Sequence, residues 1–255
     1  MPLLEVQHLQ KIYTTRFGGN QVQALTDVDF TVEAGEFVAI MGESGSGKTT
    51  LLNILAALDR PTAGEVLLED KPLSAIRDRD LAAFRRSRLG FVFQDFNLLD
   101  TFSLGDNILL PLVLAGERPG VMMQKLRPLA ERLGIGDLLE KYPYEVSGGQ
   151  KQRAAAARAL ITGPALLLAD EPTGALDSRA SARLLDLFED LNRDGQTILM
   201  VTHSVEAASH AGRVLFLRDG QVYHQLYREE NRRERQYRRI SDVLTELTQG
   251  GEQGA

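Results

Sequence analysis

The feature that most constrains the fold is the stretch 37–52, FVAIMGESGSGKTTLL. Its first five residues, 37–41, are largely apolar and predict a short buried strand, and the apolar residues after Thr50 predict a helix. Between them, the spacing from Gly42 to Thr49 matches the phosphate-loop pattern GxxxxGK[ST]. Glycines let the backbone curl so that its N–H groups and the following helix N-terminus face an anion. The stretch therefore predicts a nucleotide-binding α/β protein.

The loop supplies specific groups for the phosphates of a nucleotide. Lys48 brings a positive charge for the β and γ phosphates, and the Thr49 hydroxyl is placed to bind Mg²⁺. The nucleotide-binding residues predicted from this stretch are Gly42, Glu43, Ser44, Gly45, Ser46, Gly47, Lys48, Thr49 and Thr50.

Composition removes several classes of function. The 255 residues carry a net charge of −6, which argues against general nucleic-acid binding. There is no cysteine, so the chain has neither a disulfide framework nor a thiolate metal site. No run of about 18 apolar residues is present and the N-terminus does not look like a secretory signal, so we expect no membrane span.

Apolar patterning predicts the fold class. Residues 3–9 and 24–32 alternate apolar and polar, which indicates half-buried strands of an antiparallel sheet. Later apolar runs are continuous and are separated by helical patterns, which indicates a doubly wound α/β core with central parallel strands. These runs lie at 90–93, 165–169, 197–201 and 214–217. Residues of about 100–160 contain many helix formers and no convincing strand, so we expect a mostly helical subdomain there.

The sequence changes character at Arg228, where the densely charged run REENRRERQYRR begins. Ile240, Val243, Leu244 and Leu247 follow with i, i+3, i+4, i+7 spacing, which predicts a short amphipathic helix. The final GGEQGA predicts a disordered end. The sequence leaves open whether this helix packs on its own domain or contacts a partner chain or an anionic membrane face.

A second apolar run, ALLLADEP, ends in the carboxylates of Asp170 and Glu171. A phosphate-loop NTPase needs an acid at the tip of a neighbouring strand to hold Mg²⁺ and its waters, so Asp170 is the predicted metal ligand. Hydrolysis also needs a group that orients or deprotonates the attacking water, and the adjacent Glu171 is the candidate.

The segment VSGGQKQR, residues 146–153, precedes the alanine-rich helix AAAARAL. A serine and two glycines at a helix start form a second anion site. The phosphate loop already covers one side of a γ-phosphate. A second such site predicts that the nucleotide is sandwiched, either within the chain or between two copies.

Together, GESGSGKTT, VSGGQ and LLLADEPTGALDS resemble the ATP-binding subunit of an ABC transporter. The Ser-Gly-Gly-Gln sequence, here called the signature motif, distinguishes that family from other phosphate-loop NTPases. The resemblance covers residues 3 to about 225. It implies an ABC cassette at 1–225 with a mostly parallel RecA-like core, an N-terminal antiparallel β subdomain and a helical signature subdomain at about 95–160. Residues 226–255 would form a charged C-terminal extension.

The resemblance also implies roles for residues that chemistry alone leaves open. Tyr13 matches the aromatic residue that stacks on adenine. Gln94 matches the glutamine that contacts Mg²⁺ and the attacking water and begins the segment touching the membrane partner. Asp177 matches the aspartate that communicates between the two sites of a dimer, and His203 matches the histidine that reaches the γ-phosphate. The signature residues implied to contact nucleotide are Ser147, Gly148, Gly149 and Gln150.

The implied cofactors are ATP and Mg²⁺, and the implied partner is a second copy of the chain. Two subunits would pair head to tail, with the phosphate loop of one and the signature motif of the other closing on each ATP. The permease would be a separate protein. This places the chain at the cytoplasmic face of the bacterial plasma membrane, with no nucleic-acid partner.

Longer stretches indicate a branch of the family. EPTGALDS and FQDFNLLDTFSLGDNILLPL are most similar to the lipoprotein-release, macrolide-efflux and cell-division ATPases. Within that branch, FNLLDTFSLGDNILLPL, YPYEVSGGQKQR and DGQVYHQLY most resemble subunits of bacitracin-type antimicrobial-peptide resistance transporters. Such subunits pair with a large FtsX-like permease and often signal to a sensor kinase.

A non-transporting ABC ATPase stays open as the alternative. Translation-type members usually carry two cassettes in a chain, and repair-type members insert long coiled coils, whose sustained heptads are absent here. An ATPase that drives cell-envelope signalling or cell-wall remodelling through a membrane partner is compatible with the same motifs.

Overall fold

The computed structural model describes residues 1–14, 21–229 and 233–251, and the side chains up to residue 247. Part of the polar turn after the first strand, residues 230–232 of the charged run and most of the predicted disordered end lie outside these ranges. The described residues form ten strands and eight α-helices. Among those helices, none combines the length and the apolar character that crossing a membrane requires.

The N-terminal part of the sheet is antiparallel. Strand β1 (Pro2–Thr14) pairs with β2 (Gln21–Glu33) and with β4 (Ala63–Leu68), and β4 pairs with the short β5 (Lys71–Pro72). The two alternating segments of the sequence are therefore confirmed as antiparallel strands.

The other part of the sheet is mostly parallel. Its parallel strands are β3 (Phe37–Met41), β6 (Leu89–Val92), β7 (Leu166–Asp170), β8 (Thr197–Val201) and β9 (Arg213–Arg218). They lie side by side in the order β9-β3-β8-β7-β6. Strand β10 (Gln221–Tyr227) runs antiparallel to β9 and also pairs with β2, which joins both parts into one sheet.

The parallel strands are buried on both faces. In β3, Val38 and Ile40 pack in the core that contains α1 (Lys48–Leu55) and the antiparallel strands. Ala39 and Met41 point to the opposite core, which is built mainly from helices. Successive residues of a strand face opposite sides of the sheet, so two buried faces require apolar residues at every position. This is why these strands appear in the sequence as continuous apolar runs.

Seven further α-helices follow α1 in the described part of the chain. They are α2 (Asp78–Arg88), α3 (Leu104–Leu114), α4 (Pro119–Arg132), α5 (Gly148–Leu160), α6 (Ser178–Arg193), α7 (Val205–Ser209) and α8 (Arg233–Gly251). Helices α3 and α5 begin with capping boxes, in which Ser103 pairs with Asp106 and Ser147 with Gln150. The α/β class is confirmed, with a mostly parallel core, an antiparallel N-terminal sheet and a helical segment that carries the signature motif.

Helix α8 is longer than the apolar stripe predicted, because it begins at Arg233 within the charged run. Ile240 is fully buried and Leu247 nearly so, in the core that also contains Leu226 of β10. Of the alternatives left by the sequence, the structure shows the helix packed on its own chain.

We expect Ile240→Ala to lower the free energy of unfolding by about 2–5 kcal/mol, because it leaves a cavity under α8. Denaturant titration followed by circular dichroism measures this. Val113 on α3 is 54% exposed and serves as the control. Val113→Ala should change the same free energy by less than about 0.5 kcal/mol. Equal losses in the two variants would show that α8 is not held by its apolar stripe.

Candidate nucleotide-binding site

A cavity of about 440 Å³ opens where the phosphate loop leads from β3 into α1. Ligands of open α/β sheets bind beyond the carboxyl ends of the parallel strands, and this cavity has that position. The predicted site residues in its lining are Gly42, Ser44, Gly45, Gly47, Lys48, Thr49, Thr50, Glu171 and His203. The fold therefore brings the phosphate loop to the residues that follow β7 and β8.

Two glycines let the loop lie directly against neighbouring strands. A Cβ on Gly42 would lie 2.2 Å from the carbonyl oxygen of Leu217 in β9. Gly47 has φ +101° and directly precedes α1, and its Cβ would lie 2.4 Å from the carbonyl oxygen of Ala24 in β2. The Ser46 hydroxyl is buried and has no hydrogen-bond partner within the described ranges. An unpaired buried hydroxyl inside this loop fits a bound phosphate.

Lys48 is folded back across the loop. Its Nζ donates to the carbonyl oxygens of Gly42 at 2.8 Å and Glu43 at 2.7 Å. Burial lowers the pKa of Lys48, and the carboxylates of Glu171 and Asp170 oppose that shift. A phosphate entering the cavity would give the ammonium group a stronger acceptor than these carbonyls.

Asp170 ends β7 in a partly buried position. Burial raises the pKa of its carboxyl and the adjacent Glu171 raises it further, while Lys48 acts in the opposite direction. A divalent cation would favour the ionised form. The groups predicted to hold Mg²⁺, from Thr49, Gln94 and Asp170, all offer oxygen atoms, the ligands that this ion prefers. The donor set therefore fits Mg²⁺.

Glu171 has a strained backbone, with φ +45°. Its Oε1 lies 2.8 Å from Nδ1 of His203, and its Oε2 accepts from the backbone N–H of His203 at 3.3 Å and from the Thr202 hydroxyl at 3.4 Å. Non-glycine residues with positive φ are uncommon and cluster at functional sites. The side chain is only 16% exposed. Its contacts with Thr202 and His203, which follow β8, therefore hold the carboxylate at the cavity.

Tyr13 and Gln94 are among the predicted residues that lie outside the lining of the cavity. Tyr13 lies opposite Val22, a lining residue, in the β1–β2 ladder, and its hydroxyl donates to Asp59 at 2.8 Å. Gln94 follows β6, and its side chain packs over Gly174, where a Cβ would lie 3.0 Å from the amide carbon of Gln94.

The signature motif and Asp177 lie together, but neither lines the cavity. The Ser147 hydroxyl oxygen accepts from the backbone N–H of Gln150 at 3.3 Å and caps α5. Asp177 caps α6 by accepting from the N–H of Ala180 at 2.8 Å. A Cβ on Gly149 would lie 2.8 Å from that of Ala180, so this glycine allows the two helix starts to meet.

Sequence reasoning missed four residues at this site. Val22, Gln23 and Ala24 line the cavity, and Thr202 bonds to Glu171. The first three lie at the start of β2, which only the folding of the chain brings to the phosphate loop. A threonine at the end of an apolar run carries no distinctive chemical signal, so nothing in the sequence marks Thr202.

We expect Gly47→Ala to weaken ATP binding by about tenfold or more, since strain at positive φ and a clash with Ala24 cost on the order of 1–3 kcal/mol. Titration calorimetry measures the affinity. Gly163 provides the control, because it also has positive φ (+67°) and its Cβ would meet nothing within 4 Å. Gly163→Ala should leave the affinity unchanged, and an equal loss in both variants would contradict the role of the close contact.

The chain has extensive similarity to known proteins. Residues 25–174, more than half of it, match the family model described as ABC transporter. It is 52% identical over 246 residues to the ABC transporter ATP-binding protein YxdL of Bacillus subtilis, which covers 96% of this chain and 94% of that protein. It is 44% identical over 254 residues to the bacitracin export ATP-binding protein BceA of Halalkalibacterium halodurans, with 99% of each covered.

A solved structure has the same fold. It is the dimeric, post-hydrolysis state of the ATP-binding cassette MJ0796 bound to ADP and Pi, with a TM-score of 0.79 and 36% identity. The match covers 88% of this chain and 98% of that one. These similarities confirm the resemblance that the motifs carried. The chain therefore belongs to the ABC transporter family, in which it is an ATP-binding subunit and an ATPase.

Proposed function

We propose that the chain is one half of an ATP-driven dimeric motor for a separate FtsX-like permease, and that the transporter exports or removes bacitracin-type antimicrobial peptides. The observation that supports a dimeric motor is that the parts of the predicted nucleotide site lie in two separate places on the chain. The phosphate loop and Glu171 share one cavity, whereas the signature motif lies outside its lining. A second copy placed head to tail would supply the missing signature motif to each cavity. The dimeric state of the MJ0796 cassette supports this arrangement.

In this proposal, the predicted site residues divide the work at each ATP. Tyr13 would stack on adenine, Lys48 would bind the β and γ phosphates, and Thr49, Asp170 and Gln94 would hold Mg²⁺. When bound, that ion would neutralise charge on the phosphates. Glu171, already fixed by its neighbours, accepts a proton from the attacking water.

His203 responds to the γ-phosphate in this proposal. It is 74% exposed at its side chain and bonds to Glu171 through one ring nitrogen. Because the ring is not packed in the interior, it can turn toward a phosphate without disrupting buried contacts. Ser147 to Gln150 and Asp177 of a second copy would close over the same nucleotide. Binding then closes the dimer and hydrolysis reopens it, a population shift driven by the γ-phosphate.

The permease would dock on the apolar surface that follows Gln94. Leu99, Phe102, Val113 and Leu114 are 45%, 38%, 54% and 63% exposed. The buried side-chain amide of Asn107 fixes the loop before α3. It forms hydrogen bonds with backbone groups at positions 99, 102 and 103. These exposed apolar side chains on an ordered loop and helix are available for burial against a partner. Docking there would hold the chain at the cytoplasmic face of the membrane, and a sensor kinase would be reached through the permease.

The peptide substrate is supported by the similarity to the bacitracin export protein BceA over almost the whole chain. Reconstitution of the chain with the permease that co-purifies with it tests this part. ATP-dependent movement or extraction of bacitracin supports transport. Stimulation of a sensor kinase without any peptide movement would support the non-transporting alternative in cell-envelope signalling.

We expect Glu171→Gln to keep ATP binding and to lower kcat by about 10²–10⁴-fold, because the attacking water loses its base while the phosphate contacts remain. Size-exclusion chromatography in ATP and Mg²⁺ should then show a stable dimer. Glu131→Gln, which alters an exposed carboxylate on α4, is the control and should hydrolyse ATP normally. Undiminished turnover in Glu171→Gln, or a monomer in ATP, would contradict the proposal.

A further inference from the structure

One glutamine of α5 bonds to the neighbours of two proposed site residues. Gln152 Nε2 donates to the carbonyl oxygens of Phe93 at 3.0 Å and Pro172 at 2.7 Å, and the side chain is fully buried. Phe93 directly precedes Gln94, and Pro172 directly follows Glu171. Both hydrogens of the amide group are used, so its orientation is determined by these two carbonyls.

Arg158, also on α5, contacts the far end of the segment 93–97, which begins at Phe93. Its guanidinium group donates to the carbonyl oxygen of Phe96 at 2.9 Å and also to that of Asn97. Phe96 and Asn97 have φ of +62° and +49°, which non-glycine residues rarely adopt. Burial lowers the pKa of Arg158, but a guanidinium group stays charged at neutral pH. Two charge-assisted hydrogen bonds therefore stabilise an unfavourable backbone conformation.

Burial of Gln152 has a cost that packing alone does not explain. Its Oε1 is buried and has no hydrogen-bond partner in the part of the chain that the structure describes. An unpaired buried acceptor costs about 1–3 kcal/mol, and an apolar side chain of similar size would avoid it. Compared with such an apolar side chain, Gln152 adds the two hydrogen bonds from Nε2. They link α5, which begins with the signature motif, to the residues beside Gln94 and Glu171.

We propose that Gln152 and Arg158 are positioning residues that fasten the segment 93–97 to α5 and thereby set the position of Gln94. The inference rests on the proposed role of Gln94 at the nucleotide. Because α5 carries the signature motif at its first turn, a shift of this helix when a second copy closes would move Gln94 with it. Closure would then reach Gln94 through side chains of the same subunit.

The test is a double-mutant cycle on ATP hydrolysis by the full chain. Gln152→Met keeps the length of the side chain and removes both donors. We expect kcat to fall about tenfold, since small misplacements of reacting groups cost this much or more, while KM and ATP affinity stay within about twofold. In the Gln94→Ala background the same change should cost less than about twofold, because Gln152 acts through Gln94. Gln124→Met, at an exposed glutamine of α4, is the control.

A second pair of variants guards against loss of folding. Arg158→Lys keeps the charge and one contact, so it should retain more kcat than Arg158→Met, and both losses should shrink in the Gln94→Ala background. Thermal unfolding of every variant shows which ones fold. The inference would be overturned if the Gln152 and Arg158 variants lowered kcat in the Gln94→Ala background by the same factors as in the unchanged protein. Equal losses of kcat in Arg158→Lys and Arg158→Met would also overturn it. If Gln94→Ala alone left kcat unchanged, the proposed role of Gln94 would fail, and this inference with it.

Discussion

The contact between the phosphate loop and the backbones of β2 and β9 is the constraint on which the rest of the site depends. Gly42 and Gly47 have no Cβ, so carbonyl oxygens of the two strands can lie where side-chain atoms would otherwise be. This contact sets the direction in which α1 leaves the loop and places Lys48 within electrostatic range of Asp170 and Glu171 at the end of β7. The antiparallel and parallel parts of the sheet therefore both shape one anion site.

The groups proposed for hydrolysis lie at the ends of strands that are buried on both faces. Rigid apolar strands fix where the last backbone atoms are, and short polar segments after them carry the reactive groups. Glu171 illustrates the cost of this design, because it lines the cavity from a positive-φ conformation. The bonds from Thr202 and His203 help to hold that conformation.

Much of this fold could be predicted from the sequence because the signals are local. The phosphate loop, the continuous apolar runs and the two alternating strands each lie within a few residues. The start of α8 could not be predicted, since its first turns are charged and are held by ion pairs of Arg235 and Arg239 with Glu229. The bonds of Gln152 could not be predicted either, because they join residues far apart in the chain. The roles of Ser147 and Asp177 in a dimer stay predictions.

The caps of α5 and α6 bear on how quickly a second copy can dock. Ser147 and Asp177 are each bonded to their own helix start in the single chain. The surface that the proposed dimer would use is thus already ordered, and association would lose little conformational entropy at these residues. A partner that meets a rigid surface can also leave it without refolding. In the proposed dimer, the lifetime of the closed state would then depend on the nucleotide, and hydrolysis of ATP would time its release.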